Sequence, residues 1–171
     1  MKKRCKHLRL MRMKRGEPSM FKIMFVCHGN ICRSPMAEFV FKKMVADRGL
    51  SSEFIIESSA TSTEEIGNDI HPGTRRTLQK YGVPFARREA VQITRADYEK
   101  YDLFICMDSA NIRNLHRIFG ADPENKVAKL LDFTPRGGDV ADPWYTGNFE
   151  ETYRDVTDGC IELLAKIFDS K

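Results

Sequence analysis

The chain has 171 residues, 42% of them hydrophobic and 30% charged, which suits one domain with an ordinary core and contains no apolar run long enough to span a membrane. Seven Pro and eleven Gly exclude collagen-like and low-complexity classes. The formal charge of +4 belongs to one end: residues 1–20 hold eight basic residues against Glu17, and the remainder has 20 basic and 23 acidic ones, so overall basicity is no argument for nucleic acid.

Residues 1–19 read as a basic, flexible extension, or as sequence ahead of a start at Met20, because like charges this dense repel one another. Residues 20–171 read as a single domain. Phe21 to Val26 is a short apolar run of strand formers ending at a Gly-containing turn. Ser34-Pro35 predicts a helix start with Ser34 as N-cap, and Ala37, Val40, Phe41 and Met44 follow on one face up to a stop at Gly49. Phe54-Ile55-Ile56 is a second strand. A helix is expected over about 72–81, closed by Gly82, and a short one over 95–101. Leu103 to Met107 is a third strand, followed by a helix capped by Asp108 or Ser109 with Ile112, Leu115 and Ile118 inward. Val127 to Leu131 is a weaker fourth strand, 132–148 a long loop, and about 149–169 a last helix with Ile161, Leu164, Ala165 and Phe168 inward. Strands alternating with helices predict an α/β fold, a parallel sheet with helices on both faces.

The five cysteines (5, 27, 32, 106 and 160) are odd in number and scattered. Cys27 and Cys32 are separated by four residues, but no second ligand pair follows, so neither a disulfide framework nor a zinc site is expected. They read as reduced thiols of a cytoplasmic protein.

Cys27-His-Gly-Asn-Ile-Cys-Arg-Ser-Pro35 lies between the first strand and the first helix, where open α/β sheets bind ligands. Gly29 and Asn30 tolerate left-handed backbone, so the loop can curl its N–H groups inward into a nest for a tetrahedral oxyanion. The same dipoles favour a thiolate at Cys27. Arg33 adds a planar fork matching two phosphoryl oxygens, and the Ser34 hydroxyl can donate to the sulfur. C-x5-R alone is a weak signal, and a free cysteine is most often a small buried hydrophobe. The strand-to-helix setting, the Gly-Asn pair and the Ser-Pro start raise its weight.

From Val26 to Glu38 the sequence resembles the signature of low-molecular-weight protein tyrosine phosphatases. The resemblance runs from about Met20 to the C-terminus through Glu57-Ser58, Ala60-Thr61, the stretch from Tyr101-Asp102 to Met107-Asp108, and Asp142-Pro143-Trp144-Tyr145. It implies a three-layer α/β/α fold on a four-stranded parallel sheet, a cysteinyl-phosphate intermediate, and neither metal nor cofactor. By resemblance Cys27 is the nucleophile, Arg33 the phosphate fork and Asp142 the general acid and then base. Phosphate or sulfate would sit among His28, Gly29, Asn30, Ile31, Cys32 and Ser34, with His28 offering only its backbone N–H. Ser58 would support the loop together with Asn30, and Asp108 matches an aspartate just after the third strand. Trp144 and Tyr145 would wall a slot for the phosphotyrosine ring, Tyr145 being the more exposed. Cys32 matches a second loop thiol that can trap oxidised Cys27 as a disulfide.

Two departures stand out. Thr63-Glu64-Glu65 occupies a place where many members carry an aromatic residue, which makes one wall acidic. A histidine that supports the loop in the family is replaced near Arg87-Arg88. The expected partners are a phosphotyrosine protein or small aryl phosphate, with no nucleic acid and no membrane, and the expected state is a monomer or weak dimer. Other readings are an arginine phosphatase, an arsenate reductase of related fold, and a binder of nucleic acid or acidic surfaces through residues 1–15. Relatives of the arginine-phosphatase kind carry Thr where Ile31 stands and lack the paired aromatics. Arsenate reduction needs a relay of two further cysteines, and the N-terminal segment lacks aromatic interleaving.

Overall fold

The computed structural model describes residues 20–169; the basic extension, Cys5 included, lies outside them. Four strands, β1 (Phe21–Cys27), β2 (Phe54–Ala60), β3 (Leu103–Cys106) and β4 (Val127–Lys129), form one parallel sheet in the order β2-β1-β3-β4. The α-helices are α1 (Arg33–Asp47), α2 (Pro72–Lys80), α3 (Ser109–Phe119), α4 (Pro143–Thr146) and α5 (Phe149–Asp169).

β1 is central and buried on both faces. Its side chains alternate: Ile23, Phe25 and Cys27 join a core with α1 and α5, while Met24 and Val26 join a second core with Phe104, Leu115 and Phe119. The chain runs outward from β1 to β2 and then returns across to β3. That reversal opens a crevice beyond the carboxyl ends of β1 and β3, the topological switch point where α/β sheets hold ligands. Residues 27–33 and Asp108 meet there.

Several expectations shift in register. α1 is capped by Cys32 rather than Ser34, because the Ser34 hydroxyl is engaged by the loop instead. β2 runs on to Ala60, drawn out by pairing with β1 over seven residues. The segment 95–101 is a 3-10 turn over Arg95–Glu99, and β4 stops at Lys129, where Leu130–Phe133 turns into another. The long loop contains the single-turn α4. On α5, Ile161 is 47% exposed and Ala165 half-buried; the inward stripe is Val156, Cys160, Leu163, Leu164 and Ile167, which leaves Ile161 on the solvent side. Asp108 caps α3, accepting from the Asn111 N–H at 2.7 Å. No helix among the described residues is long and apolar enough to cross a membrane.

Phe104, fully buried in β3, meets Phe119 edge-to-face at 4.8 Å and stacks with Tyr98 at 6.0 Å. Phe104→Ala removes the centre of the second core and is expected to cost about 3–5 kcal/mol. In urea titration the midpoint should fall with an unchanged slope.

Candidate active site

The loop after β1 closes on its own first residue. The N–H of Asn30 points at Cys27 Sγ (3.2 Å), and Ser34 Oγ lies 3.0 Å from the same sulfur. Asn30 makes this curl possible with φ at 60°, a left-handed conformation that Asn tolerates better than most residues. Gly29 is not left-handed, contrary to expectation. Its lack of a side chain serves space instead, since a Cβ there would stand 3.2 Å from Glu65 Cγ. Because Cys32 offers α1 no side-chain cap, N–H groups of the first turn stay available to an anion.

Asn30 is completely buried and holds the loop from below. Its side-chain amide donates to Ser34 Oγ (2.9 Å) and Ser58 Oγ (3.0 Å), and Ser58 in turn donates to Glu38 (2.5 Å). Arg88 donates to the Asn30 carbonyl oxygen at 3.0 Å and to Oδ1 at 2.6 Å, with Glu38 3.7 Å from its Nε. Arg88 thus stands in the region where the resemblance lacks its histidine.

The Arg33 guanidinium, 4% exposed, forms the floor. One nitrogen bonds Asp108 Oδ2 at 2.7 Å and the other Asp142 Oδ2 at 2.9 Å. Burial alone would lower the Arg33 pKa; the charges of Cys27, Asp108 and Asp142 outweigh it, and the net shift is upward. Asp142 also accepts from the Trp144 N–H at 3.1 Å, which sets it as N-cap of α4. Asp108 and Asp142 therefore both cap a helix and clamp Arg33, so the turn reading and the site reading coincide.

A cleft of about 510 Å³ rises from this floor. Trp144 and Tyr145 line it, 63% and 85% exposed, Tyr145 the more open as expected. Trp144 is docked at its edge: it meets His71 at 6.3 Å, and His71 stacks on Phe149 at 5.1 Å. Glu64 and Glu65 line the cleft too, Glu64 paired with His28 at 3.0 Å. So the acidic wall is real, and His28 has a side-chain partner besides its backbone position. Ile31 and Cys32 pack beneath the loop with Ala90.

Among the described thiols, burial pushes Cys32 up to about 12, reinforced by the negative charges of Cys27 and Asp142, and raises Cys106 and Cys160, both fully buried, further still. Cys106 sits within β3 and Cys160 on α5, as their sequence context predicts. No cluster of metal-ligating side chains occurs among the described residues.

Sequence reasoning missed Glu38, His71 and the detailed role of Arg88. A signal existed for Glu38: it lies four residues after Ser34 on the apolar face of α1, where a carboxylate needs a partner.

These shifts predict the order of thiol alkylation. In a Cys5→Ser protein near neutral pH, iodoacetamide should modify Cys27 first and leave Cys32, Cys106 and Cys160 largely unlabelled, because raised thiols are protonated there. Peptide mapping by mass spectrometry checks this, and added phosphate should protect Cys27.

Residues 22–171 match the family model described as low molecular weight phosphotyrosine protein phosphatase. The chain is 39% identical over 154 residues to low molecular weight protein-tyrosine-phosphatase YfkJ of Bacillus subtilis, covering 89% of this chain and 99% of that one. The human low molecular weight phosphotyrosine protein phosphatase is 36% identical over 149 residues, 84% of this chain and 94% of its own length. The crystal structure of YfkJ superposes with a TM-score of 0.86 over 90% of this chain and 98% of that one. That of SP-PTP from Streptococcus pyogenes, 44% identical, gives 0.77 over 86% and 93%.

Proposed function

The chain belongs to the low molecular weight phosphotyrosine protein phosphatase family, and on that premise we propose that it hydrolyses phosphotyrosine in proteins, or small aryl phosphates, through a phosphocysteine at Cys27. The observation that carries this is the sulfur itself: at one point it meets the Asn30 N–H and the Ser34 hydroxyl, above a guanidinium held by two carboxylates.

The substrate phosphate enters the loop, where inward N–H groups and the Arg33 fork take its equatorial oxygens. Cys27 Sγ attacks phosphorus as the P–O bond to the phenol breaks. A phenolate of pKa near 10 leaves poorly, and Asp142 supplies its proton. The dianion competes with Asp142 for the Arg33 fork, which frees that carboxyl to face the leaving oxygen. Water then attacks the phosphocysteine, Asp142 takes its proton, and the P–S bond breaks to release phosphate. Trp144 and Tyr145 flank the ring. The slot's depth excludes phosphoserine, whose ester oxygen cannot reach the loop. A cytoplasmic setting and a single catalytic domain over 20–171 fit the reduced thiols and the extent of the family match.

Cys27→Ser should abolish turnover yet retain phosphate binding, while a chelator leaves the wild type active. Arg33→Lys should fail badly, because a point charge cannot reproduce the fork. Activity surviving in Cys27→Ser overturns the mechanism.

Asp142→Asn should lose most on poor leaving groups. In single-turnover phosphorylation its rate deficit should grow with phenol pKa across a substituted aryl series; a flat deficit leaves Asp142 as a turn residue only.

Oxidation gives a further test. Peroxide converts the Cys27 thiolate to a sulfenic acid, and the Cys32 thiol then displaces water to give a disulfide that a dithiol reduces. Activity lost to brief peroxide should return with dithiol in the wild type and far less in Cys32→Ser.

A further inference from the structure

We propose that Thr152 and Asp155, near the start of α5, are positioning residues for proton transfer: together they fix the two peptide planes that lead into Asp142. The proposal rests on the reading of Asp142 as general acid.

The two residues stand three apart on α5, and both are buried. Polar groups so placed need partners, and these take theirs from the loop that carries Asp142. Asp155 Oδ2 accepts the Ala141 N–H at 3.0 Å, and Oδ1 accepts Arg136 Nη2 at 2.6 Å. The Thr152 hydroxyl lies 2.8 Å from the Ala141 carbonyl oxygen and 3.4 Å from that of Asn148. Its proton therefore goes to the loop rather than back into its own helix.

Each bond sets a different plane. The peptide between Val140 and Ala141 is held at its oxygen by Arg33 Nη1 (3.4 Å) and at its N–H by Asp155. The peptide between Ala141 and Asp142 is held at its oxygen by Thr152. Pro143 follows, with its fixed φ. The Cα–Cβ bond of Asp142 then has one direction, and only the carboxyl can swing. Its two tasks require that. At rest it pairs with Arg33 at 2.9 Å, and in the reaction it turns to the leaving oxygen. A side-chain rotation joins those two positions only while the backbone stays put, and a misplacement of about 1 Å at a reacting group costs roughly a hundred-fold.

A carboxylate suits the task because its two oxygens bridge Arg136 and Ala141, two points on one loop; an amide has one oxygen and keeps one of them. The loop has other ties. Asp139 meets Lys129 at 3.0 Å and the Ser109 N–H at 3.2 Å, and the Val140 N–H donates to the Met107 carbonyl at 2.8 Å. Loss of the α5 bonds therefore loosens residues 141–142 and leaves the loop in place. The Arg136 side chain is 59% exposed and turns to water, so Asp155→Asn strands no buried charge.

The variants are Asp155→Asn, Thr152→Val and Thr152→Ser, the first two also on an Asp142→Asn background. The readouts are single-turnover phosphorylation rates on phenyl phosphate and on a dinitrophenyl phosphate, and the affinity for inorganic phosphate. On phenyl phosphate, whose phenol has a pKa of about 10, Asp155→Asn and Thr152→Val should each slow phosphorylation roughly ten-fold, a part of the about 10²–10⁴-fold that a placed acid supplies. On the dinitrophenyl ester, which needs little protonation, the loss should be no more than about two-fold, and phosphate affinity should change no more than that. On the Asp142→Asn background the same changes should cost no more than about two-fold on either ester, because the residues act as one unit. Thr152→Ser keeps the hydroxyl and should stay within about two-fold of the wild type.

Unchanged rates in both variants overturn the proposal. So do equal losses on the two esters, or the same loss with and without the Asp142 carboxyl, since each describes a loop tie that does not reach the proton donor. A Thr152→Ser protein as slow as Thr152→Val removes the hydroxyl from the account and overturns the paired anchor. The Asp142→Asn protein separates this from the underlying reading. If its own deficit is the same on both esters, Asp142 is not the acid and both readings fall; if that deficit grows with the poorer leaving group while the α5 variants show none of these effects, the proposal alone fails.

Discussion

One buried positive charge organises this end of the molecule. Arg33 is 3% exposed, and an unpaired guanidinium in such a place would be prohibitive. Its neutralisation draws Asp108 from the end of β3 and Asp142 from the long loop before α5 onto one residue at the start of α1. Three distant parts of the chain are tied by that requirement. The same requirement keeps the floor anion-ready: the fork is held flat and aimed before any ligand arrives, so little reorganisation remains for binding.

The second constraint is geometric. A loop that turns its N–H groups inward must pass through a left-handed residue, and Asn30 supplies it while filling the space beneath. A glycine would adopt that φ as readily and leave the amide contacts to Ser34 and Ser58 unmade. The polar network below the loop is buried and closed: hydroxyl, amide, guanidinium and carboxylate each find a partner, the condition under which such networks rigidify rather than destabilise.

Most of the site was legible because it is local. Cys27 to Pro35 is contiguous, falls at a strand-to-helix junction that the hydrophobic pattern marks, and contains residue types that suit an anion. Asp142-Pro143-Trp144-Tyr145 was legible as a unit for the same reason. The element order followed from alternating apolar runs, since β1 and β3 are buried on both faces and read as continuous hydrophobic stretches. What escaped depends on long-range meeting. His71 matters only because Phe149 and Trp144 come to it from some seventy residues on. Arg88 reaches Asn30 only because residues 91–93 pair with Ala60 at the sheet's edge and carry the preceding segment beside the loop. Ser34 was misassigned as a cap because a cap and a thiol partner ask for the same hydroxyl, and spacing does not separate them. On α5 the inward stripe was misplaced at Ile161, where one apolar residue sits beside the true face.

The exposed Trp144 draws its footing from two half-buried rings beside it. It leans on His71, His71 lies flat on Phe149, and the Phe149 ring sits where a Cβ on Gly73 would come within 2.3 Å. The width of the recognition groove is therefore set by the spacing between the first turn of α2 and the first turn of α5. A lineage that enlarged residue 73 would push that ring outward and redraw the groove's wall. The same turn of α2 also holds the phosphate loop, the His71 N–H donating to the Ile31 carbonyl at 2.8 Å and the Thr74 hydroxyl to that of Cys32 at 3.3 Å, so the wall that meets the ring and the cradle that meets the phosphate share one footing.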